Sequence, residues 1–131
     1  MNWKLIFSLS LFGLFMALGT VYFISSGVEP IFWIAILLLD AFLIVKFAPG
    51  KYFMHGFLTC LGNCFWVTGA HILLFSTYAA NHPEEMKMME AGPLNTHPRL
   101  MMLITGPIIG IVTGVILGLL SIGASKILKK K

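Results

Sequence analysis

Charge is what this chain has little of. Only 11% of its 131 residues are Asp, Glu, Lys or Arg, where a soluble globular domain carries about 25%. The deficit is uneven: charges stand in short clusters between long apolar runs, which excludes a soluble domain of any size. Cysteine is scarce too, with Cys60 and Cys64 making up the two. No Cys-x-x-Cys occurs, and cysteines four apart on one helix do not close a disulfide, because their Cβ vectors diverge. No nucleophile–base arrangement, phosphate-cradling glycine loop or paired-carboxylate motif is present, so catalysis is not expected. The sequence has no internal repeat and no low-complexity tract.

What is there is apolar. Hydrophobic residues make up 58% of the chain and gather into four runs, which predict spans at about 5–25, 30–47, 53–79 and 98–128. Crossing the hydrocarbon core takes about 20 such residues. The second run reaches that length only with Pro30, Lys46 and Phe47 counted in, and the third and fourth are long enough to tilt. The opening Met1–Lys4 followed by apolar residues looks like a signal peptide. The run is too long for one, however, and no small-x-small site closes it, so a retained helix is expected. With the N-terminus inside, Lys4, Lys46, Lys51, Lys126, Lys129, Lys130 and Lys131 are cytoplasmic, and Lys87 and Arg99 are external. That is a positive-inside bias. The net charge of +4 therefore reads as membrane anchoring to anionic headgroups and not as nucleic-acid binding. Both termini are expected in the cytoplasm of a bacterial plasma membrane.

Turn signals divide the spans. Ser26–Pro30 is a tight outer turn with Pro30 at the start of the second helix, where a missing N–H costs nothing. Ala48-Pro49-Gly50-Lys51 is an inner turn. The segment 80–97 is the one real loop, and it carries a short helix. Pro83, Glu84 and Glu85 suit a first turn, and Gly92-Pro93 stops it. Thr96 or His97 then caps the last span. Met86 and Met89 would turn this loop into a lid over the bundle, while Glu84 and Glu85 read as a solvated face. Trp3, Tyr22, Trp33, Tyr52 and Tyr78 fall near span ends, where amphipathic rings favour the interface.

Small residues carry the most specific pattern. Gly106, Gly110, Gly114 and Gly118 recur every fourth residue and lay one groove along the last helix, where a second backbone can approach closely. Gly56, Cys60, Cys64 and Thr68 form a second ridge on the third helix, with His55, Thr59, Asn63 and Trp66 on an adjoining face. If one ridge packs within the chain, the other is free for a partner helix.

Candidate polar sites are few. Asp40 is the only acid inside a predicted span, and such a residue faces the bundle interior and finds a partner. Helix rise places it near the depth of His71, so a contact with His71 or Thr68 would make a proton relay or ion site, or a structural hydrogen bond. Asn63 would bond across to a neighbour. Cys60, Cys64 and His71 share a helical face and could ligate a soft metal, though one helix seldom offers a complete set. His82, Met86, Met88, Met89, His97, Met101 and Met102 would suit Cu(I). Buried packing is the plainer reading for both groups, and neither metal nor cofactor is expected.

The short inner turn, the Asn-His-Pro-Glu-Glu-Met-Lys segment and a glycine-striped last span ending in Lys-Lys-Lys resemble the small four-helix membrane proteins of unknown function common in Bacteroidetes. The likeness covers residues 46–131. It implies an inner-membrane location and carries no functional residue with it. The sequence thus predicts an all-α, up-down bundle of four transmembrane helices in a single domain. The expected role is an accessory subunit or self-associating bundle, partnered by the bilayer and by other transmembrane helices through glycine-lined faces. A small proton-coupled transporter or channel using Asp40 and His71 is the alternative, and a metal or redox site on the third helix ranks behind both.

Overall fold

The structure, a computed structural model, describes residues 1–129. In chain order the helices are α1 (Trp3–Tyr22), α2 (Glu29–Phe47), α3 (Tyr52–Leu73), α4 (Phe75–Asn81), α5 (Pro83–Glu90) and α6 (Pro98–Leu128). No strand occurs among the described residues. Helices α1, α2, α3 and α6 are long and apolar enough to cross a membrane, so the coarse reading of the sequence, an all-helical membrane protein, holds. Lys130 and Lys131, counted above among the anchoring lysines, lie outside the described residues.

Local chemistry sets the boundaries. The Asn2 side chain accepts the Leu5 N–H at the start of α1, satisfying one of the donors that a helix leaves orphaned. Helix α2 opens on Glu29 and Pro30. It closes before Pro49, whose ring forces Ala48 into extended backbone. Gly50 at φ 149 and Lys51 at φ 49 then reverse the chain, the glycine taking a conformation that side chains resist. Helix α5 starts at Pro83 with Glu84 and Glu85 in its first turn, as the loop sequence predicts. Of the two caps offered for α6, His97 occupies the position without making a side-chain capping bond, and Thr96 bonds its ring instead. Pro107 lies inside α6, where it removes the N–H that would meet the Leu103 carbonyl.

One predicted span is corrected. The run 53–79 is not one helix: it breaks at Leu74, and α4 folds onto the end of α1. The Leu74 N–H still reaches the Ala70 carbonyl, so only one residue is spent on the bend. The bend buries Tyr78, which joins Val21 and Met102 in a cluster that Met86 and Met89 cover. Tyr78 is therefore a core residue under a lid and not an interfacial ring.

Packing centres on α3, which lies against α6 along most of its length and against α1 on another side. At one end, the lysine end, the Asn2 N–H meets His55 and Lys129 meets the Tyr52 hydroxyl. Leu9, Ala41, Ile44, Ala48, Cys60 and Leu117 form the core nearest that end. The other end is closed by α4 and α5, and we call it the lid end. Helix α2 joins the bundle mainly through its second half: its buried residues are Asp40, Ala41, Ile44 and Val45, none precedes Asp40, and Leu37 packs partly buried against the core. The turns before Leu37 stand across a cavity from α3 and α6. Outward faces are broadly apolar, with Phe15, Ile31, Ile108 and Leu119 among many large exposed side chains, as lipid contact requires.

Candidate functional site

The two small-residue ridges meet each other. A Cβ built on Gly110 would stand 2.7 Å from Cys64 Cβ, one on Gly114 2.9 Å from the Phe57 ring, and one on Gly118 2.5 Å from the Phe53 ring. Gly106 lies directly against Thr68, and a Cβ on Gly56 would come within 2.8 Å of the Leu117 backbone. Cys64 Sγ donates to the Gly106 carbonyl in the same seam. Neither ridge is left over for another chain, which departs from the expectation that one would be.

A second seam, between α1 and α3, escaped the sequence reading. A Cβ on Gly13 would lie 2.5 Å from Asn63 Cα, and one on Gly62 2.7 Å from Ser10 Cβ. Ser10, Gly13 and Ala17 repeat at helical spacing and are buried, which is the signal that could have revealed it. Asn63 does bond across to a neighbour, its Oδ1 accepting the Gly13 N–H at 3.2 Å, and Trp66 donates to Ser10 Oγ.

Asp40 and His71 do not come together. With α3 ending at Leu73, His71 sits near the lid end, whereas Asp40 lies seven residues from the lysine end of α2. A rise of about 1.5 Å per residue separates their levels by roughly 18 Å. Asp40 is fully buried near Cys60, and neither of its carboxyl oxygens has a hydrogen-bond partner among the described residues, nor does Thr59 Oγ1. His71 instead meets Thr20 Oγ1 at 2.8 Å. The threonine hydroxyl has one proton and gives it to the Ala17 carbonyl, so His71 Nε2 is the donor and Nδ1 carries the lone pair.

Around His71 the lid builds a polar stack. Tyr78 lies between the rings of His71 and His82, with centroids 4.1 and 4.3 Å away. His82 is buried, donates Nε2–H to the Thr20 carbonyl and meets Ser26 Oγ through Nδ1. Glu85 Oε2 stands 3.7 Å from that Nδ1, beyond hydrogen-bond length, and is buried without a hydrogen-bond partner among the described residues. Burial raises the Tyr78 phenol above its ordinary range, with the Glu85 and Glu29 carboxylates adding to the effect. Of the four histidines, His71 and His82 are thus joined through Tyr78, at a spacing of seven and four residues that a helical stripe would have suggested.

Between the free half of α2 and the α3–α6 pair lies a wedge-shaped cavity of about 630 Å³. Its rim holds Glu29, Ser26 and Glu85. Trp33 and Ile34 form the α2 wall, Val67 and Thr68 face them from α3, and Cys60 and Asn63 lie deepest. Trp33 Nε1 donates to Glu29 Oε1 at 3.1 Å, fixing the indole on the wall. Asn63 is 3% exposed, and its Nδ2 has no partner among the described residues. Among the described residues no lysine or arginine lines the wedge.

The metal-ligand sets weighed from sequence are dispersed. Cys64 is spent on Gly106, Cys60 on the core and His71 on Thr20. Met88 is exposed, Met101 lies against Gly92, and His97 pairs with Thr96. Among the described residues, no three of His, Cys, Asp or Glu gather as a metal site would need. No protein-family model, curated protein or solved structure matches this chain.

Proposed function

We propose that this protein is a membrane-embedded binding protein that takes an amphipathic small molecule into the wedge between α2, α3 and α6. The observation that carries this reading is the standing-away of the first half of α2. A helix with no fully buried residue before Asp40 leaves a cavity of about 630 Å³, within the range of about 300–1,000 Å³ typical of ligand sites. Apolar walls with a few convergent polar groups are the usual composition of such a site. The accessory-subunit reading loses its main support, because both glycine-bearing faces are consumed inside one chain.

In this reading the chain crosses a bacterial plasma membrane four times, up and down, with both termini cytoplasmic. The lysine bias supports that orientation, and it turns the rim with Glu29 and Glu85 to the outside. Reporter fusions at both termini should report the cytoplasm. An aliphatic diazirine probe in proteoliposomes should label Trp33, Leu37 and Val67 saturably and lipid-facing Phe15 and Ile108 without saturation. Equal, unsaturable labelling of both groups would end the proposal.

Carriage across the membrane is a second reading, favoured by Asp40. Its unpartnered carboxyl lies near Cys60 at the wedge floor, on the lysine side of the cavity. An unpaired buried charge is costly in lipid, so a group kept there is a candidate carrier of a proton. Asp40→Asn would then abolish flux while leaving diazirine labelling intact.

A further inference from the structure

We infer that the ligand of the wedge is an amphipathic amine, with its ammonium at the Glu29–Glu85 rim and an oxygen acceptor on its tail at Asn63. This rests on the reading of the wedge as a binding site and adds the chemical class. Two independent features point to it, one at each end of the cavity.

The first is the sign of the rim. Glu29 and Glu85 both line the mouth, and among the described residues no lysine or arginine does. The cations nearest in sequence are occupied elsewhere: Lys87 pairs with Glu84, and Arg99 lies over Phe75 and donates to the Ile72 carbonyl. Glu29 uses one oxygen on Trp33, and Glu85 Oε2 is buried with the His82 ring 3.7 Å away, beyond hydrogen-bond length. A carboxylate oxygen at the edge of an apolar cavity favours a cation and rejects an anion, since like charge in a poorly hydrated site costs far more than in water. Trp33 lines the cavity beside it, and an indole ring suits an ammonium group.

The second feature is the floor. Asn63 lines the wedge with its Nδ2 unpartnered and its side chain almost wholly buried. Its Oδ1 is taken by Gly13, so what the site lacks is an acceptor for the amide protons. A buried donor left without one is destabilising, and a carbonyl, ester or amide oxygen on the ligand would remove that cost. Along α3, Asn63 lies eight residues below His71, or about 12 Å. That is the reach of a medium-length alkyl chain between the two polar groups. The apolar walls in between, Ile34, Leu37, Val67 and Ile109, ask nothing of the ligand except hydrocarbon.

The test uses the full chain in phosphatidylcholine nanodiscs, with Trp3→Phe and Trp66→Phe leaving Trp33 as the emitter. Four matched probes are titrated: methyl omega-aminododecanoate, dodecylamine, methyl dodecanoate and monomethyl dodecanedioate. The amino ester should give a saturable change at a concentration at least about tenfold below that for the methyl ester, with the acid weakest. Glu29→Gln with Glu85→Gln should erase the preference for the amine yet leave methyl dodecanoate binding unchanged, which also shows that the variant is folded. Gln retains an oxygen for Trp33. Asn63→Val should erase the preference of the amino ester over dodecylamine. If all four probes saturate alike, or the acid binds tightest, the headgroup assignment is overturned while the wedge remains a binding site. If none saturates, or native mass spectrometry finds the wedge closed by a second copy of the chain, the binding-site reading itself falls.

Discussion

Replacing Gly56 with alanine tests the α3–α6 seam at the point where nothing can yield. The added methyl would sit 2.8 Å from the Leu117 carbonyl carbon and 2.9 Å from the Gly118 nitrogen. Both are backbone atoms of a helix, so relief requires moving α6 as a body and losing contact along the ridge. Overpacking of this kind costs about 1–3 kcal/mol, against which alanine regains up to about 1 kcal/mol of helix propensity. The control is Gly69→Ala, also within α3, where an added Cβ meets nothing within 4 Å; that variant should be neutral or slightly more stable. Gly106→Ala supplies the third arm. Its obstruction is the Thr68 side chain, so Thr68→Ala should rescue Gly106→Ala, while no single side-chain truncation rescues Gly56→Ala. Reversible unfolding of the reconstituted protein, followed by helix signal against dodecyl sulfate fraction, gives the three stabilities. Gly56→Ala as stable as Gly69→Ala would refute the claim that the backbones touch there.

Four further outcomes follow from the same geometry. Thr59→Val, which exchanges an unpartnered buried hydroxyl for a methyl of the same shape, should stabilise by about 1 kcal/mol in the same unfolding assay; a loss would mean that the hydroxyl has a partner. His82→Ala deprives the Thr20 carbonyl of its donor and empties a fully buried site under the lid, so trypsin should cut at Lys87 several-fold faster than in the parent. Leucine at Gly110 and Gly114 together should prevent folding of the isolated chain, since both positions face α3 of the same molecule; a folded chain that merely dissociates from a complex would contradict the intramolecular seam. Tyr78 sets a pH dependence. Its phenol is held above the ordinary value of 10.0, first by burial and then by the Glu85 and Glu29 carboxylates. Stability is full below pH 10 and declines as pH rises past it, because the unfolded tyrosine ionises where the folded one does not. Absorbance at alkaline pH should therefore show one of the three tyrosines titrating only with unfolding.

Much of this fold is legible because lipid makes the sequence speak in one register. Apolar length alone identifies four helices long and apolar enough to cross a membrane, and Pro30, Pro49, Pro83 and Pro98 mark boundaries that the helices respect. The break at Leu74 is not legible. Residues 70–79 contain no proline or glycine, and the turn is imposed by tertiary burial of Tyr78 and His82 beneath Met86 and Met89. That one bend carries the error through to the candidate site: with the helix run on to Ala79, His71 falls at the depth of Asp40, and a pair is inferred that the folded chain keeps apart. The glycine ridges were visible, but their partner was not, since a small-residue stripe specifies close approach and leaves open which backbone approaches. One acid of the rim, Glu85, is not legible for a related reason. Glu85 stands in a short polar helix that reads as solvated, and only the folding of α5 over the bundle turns it inward.

The wedge is a consequence of how α3 is used. A helix with small residues on two faces draws in α1 on one side and α6 on the other, and these two seams account for most of the close backbone contact in the molecule. Helix α2 has no glycine at all, so it has no seam to close. Bulky Trp33, Ile34 and Leu37 would have to enter a surface already shaped by Gly106 and Gly110, and the chain instead anchors α2 through Asp40, Ala41, Ile44 and Val45, where Ala41 is small enough to approach. What holds α2 at the lid end is polar and local: the Ser26 contact to His82 just before the helix, since the Glu29 bond to Trp33 lies wholly within α2. A contact of that kind is worth about 1 kcal/mol, far less than a packed seam. The first half of α2 is therefore the element whose position a ligand can change at least cost, and movement there opens or narrows the wedge without disturbing α1, α3 or α6. Spin labels on Ile31 and Ile108, both lipid-facing, measure that distance directly. An amine-headed ligand should narrow its distribution, and a distribution already as narrow without ligand as with it would show that α2 is fixed by something stronger than that one hydrogen bond.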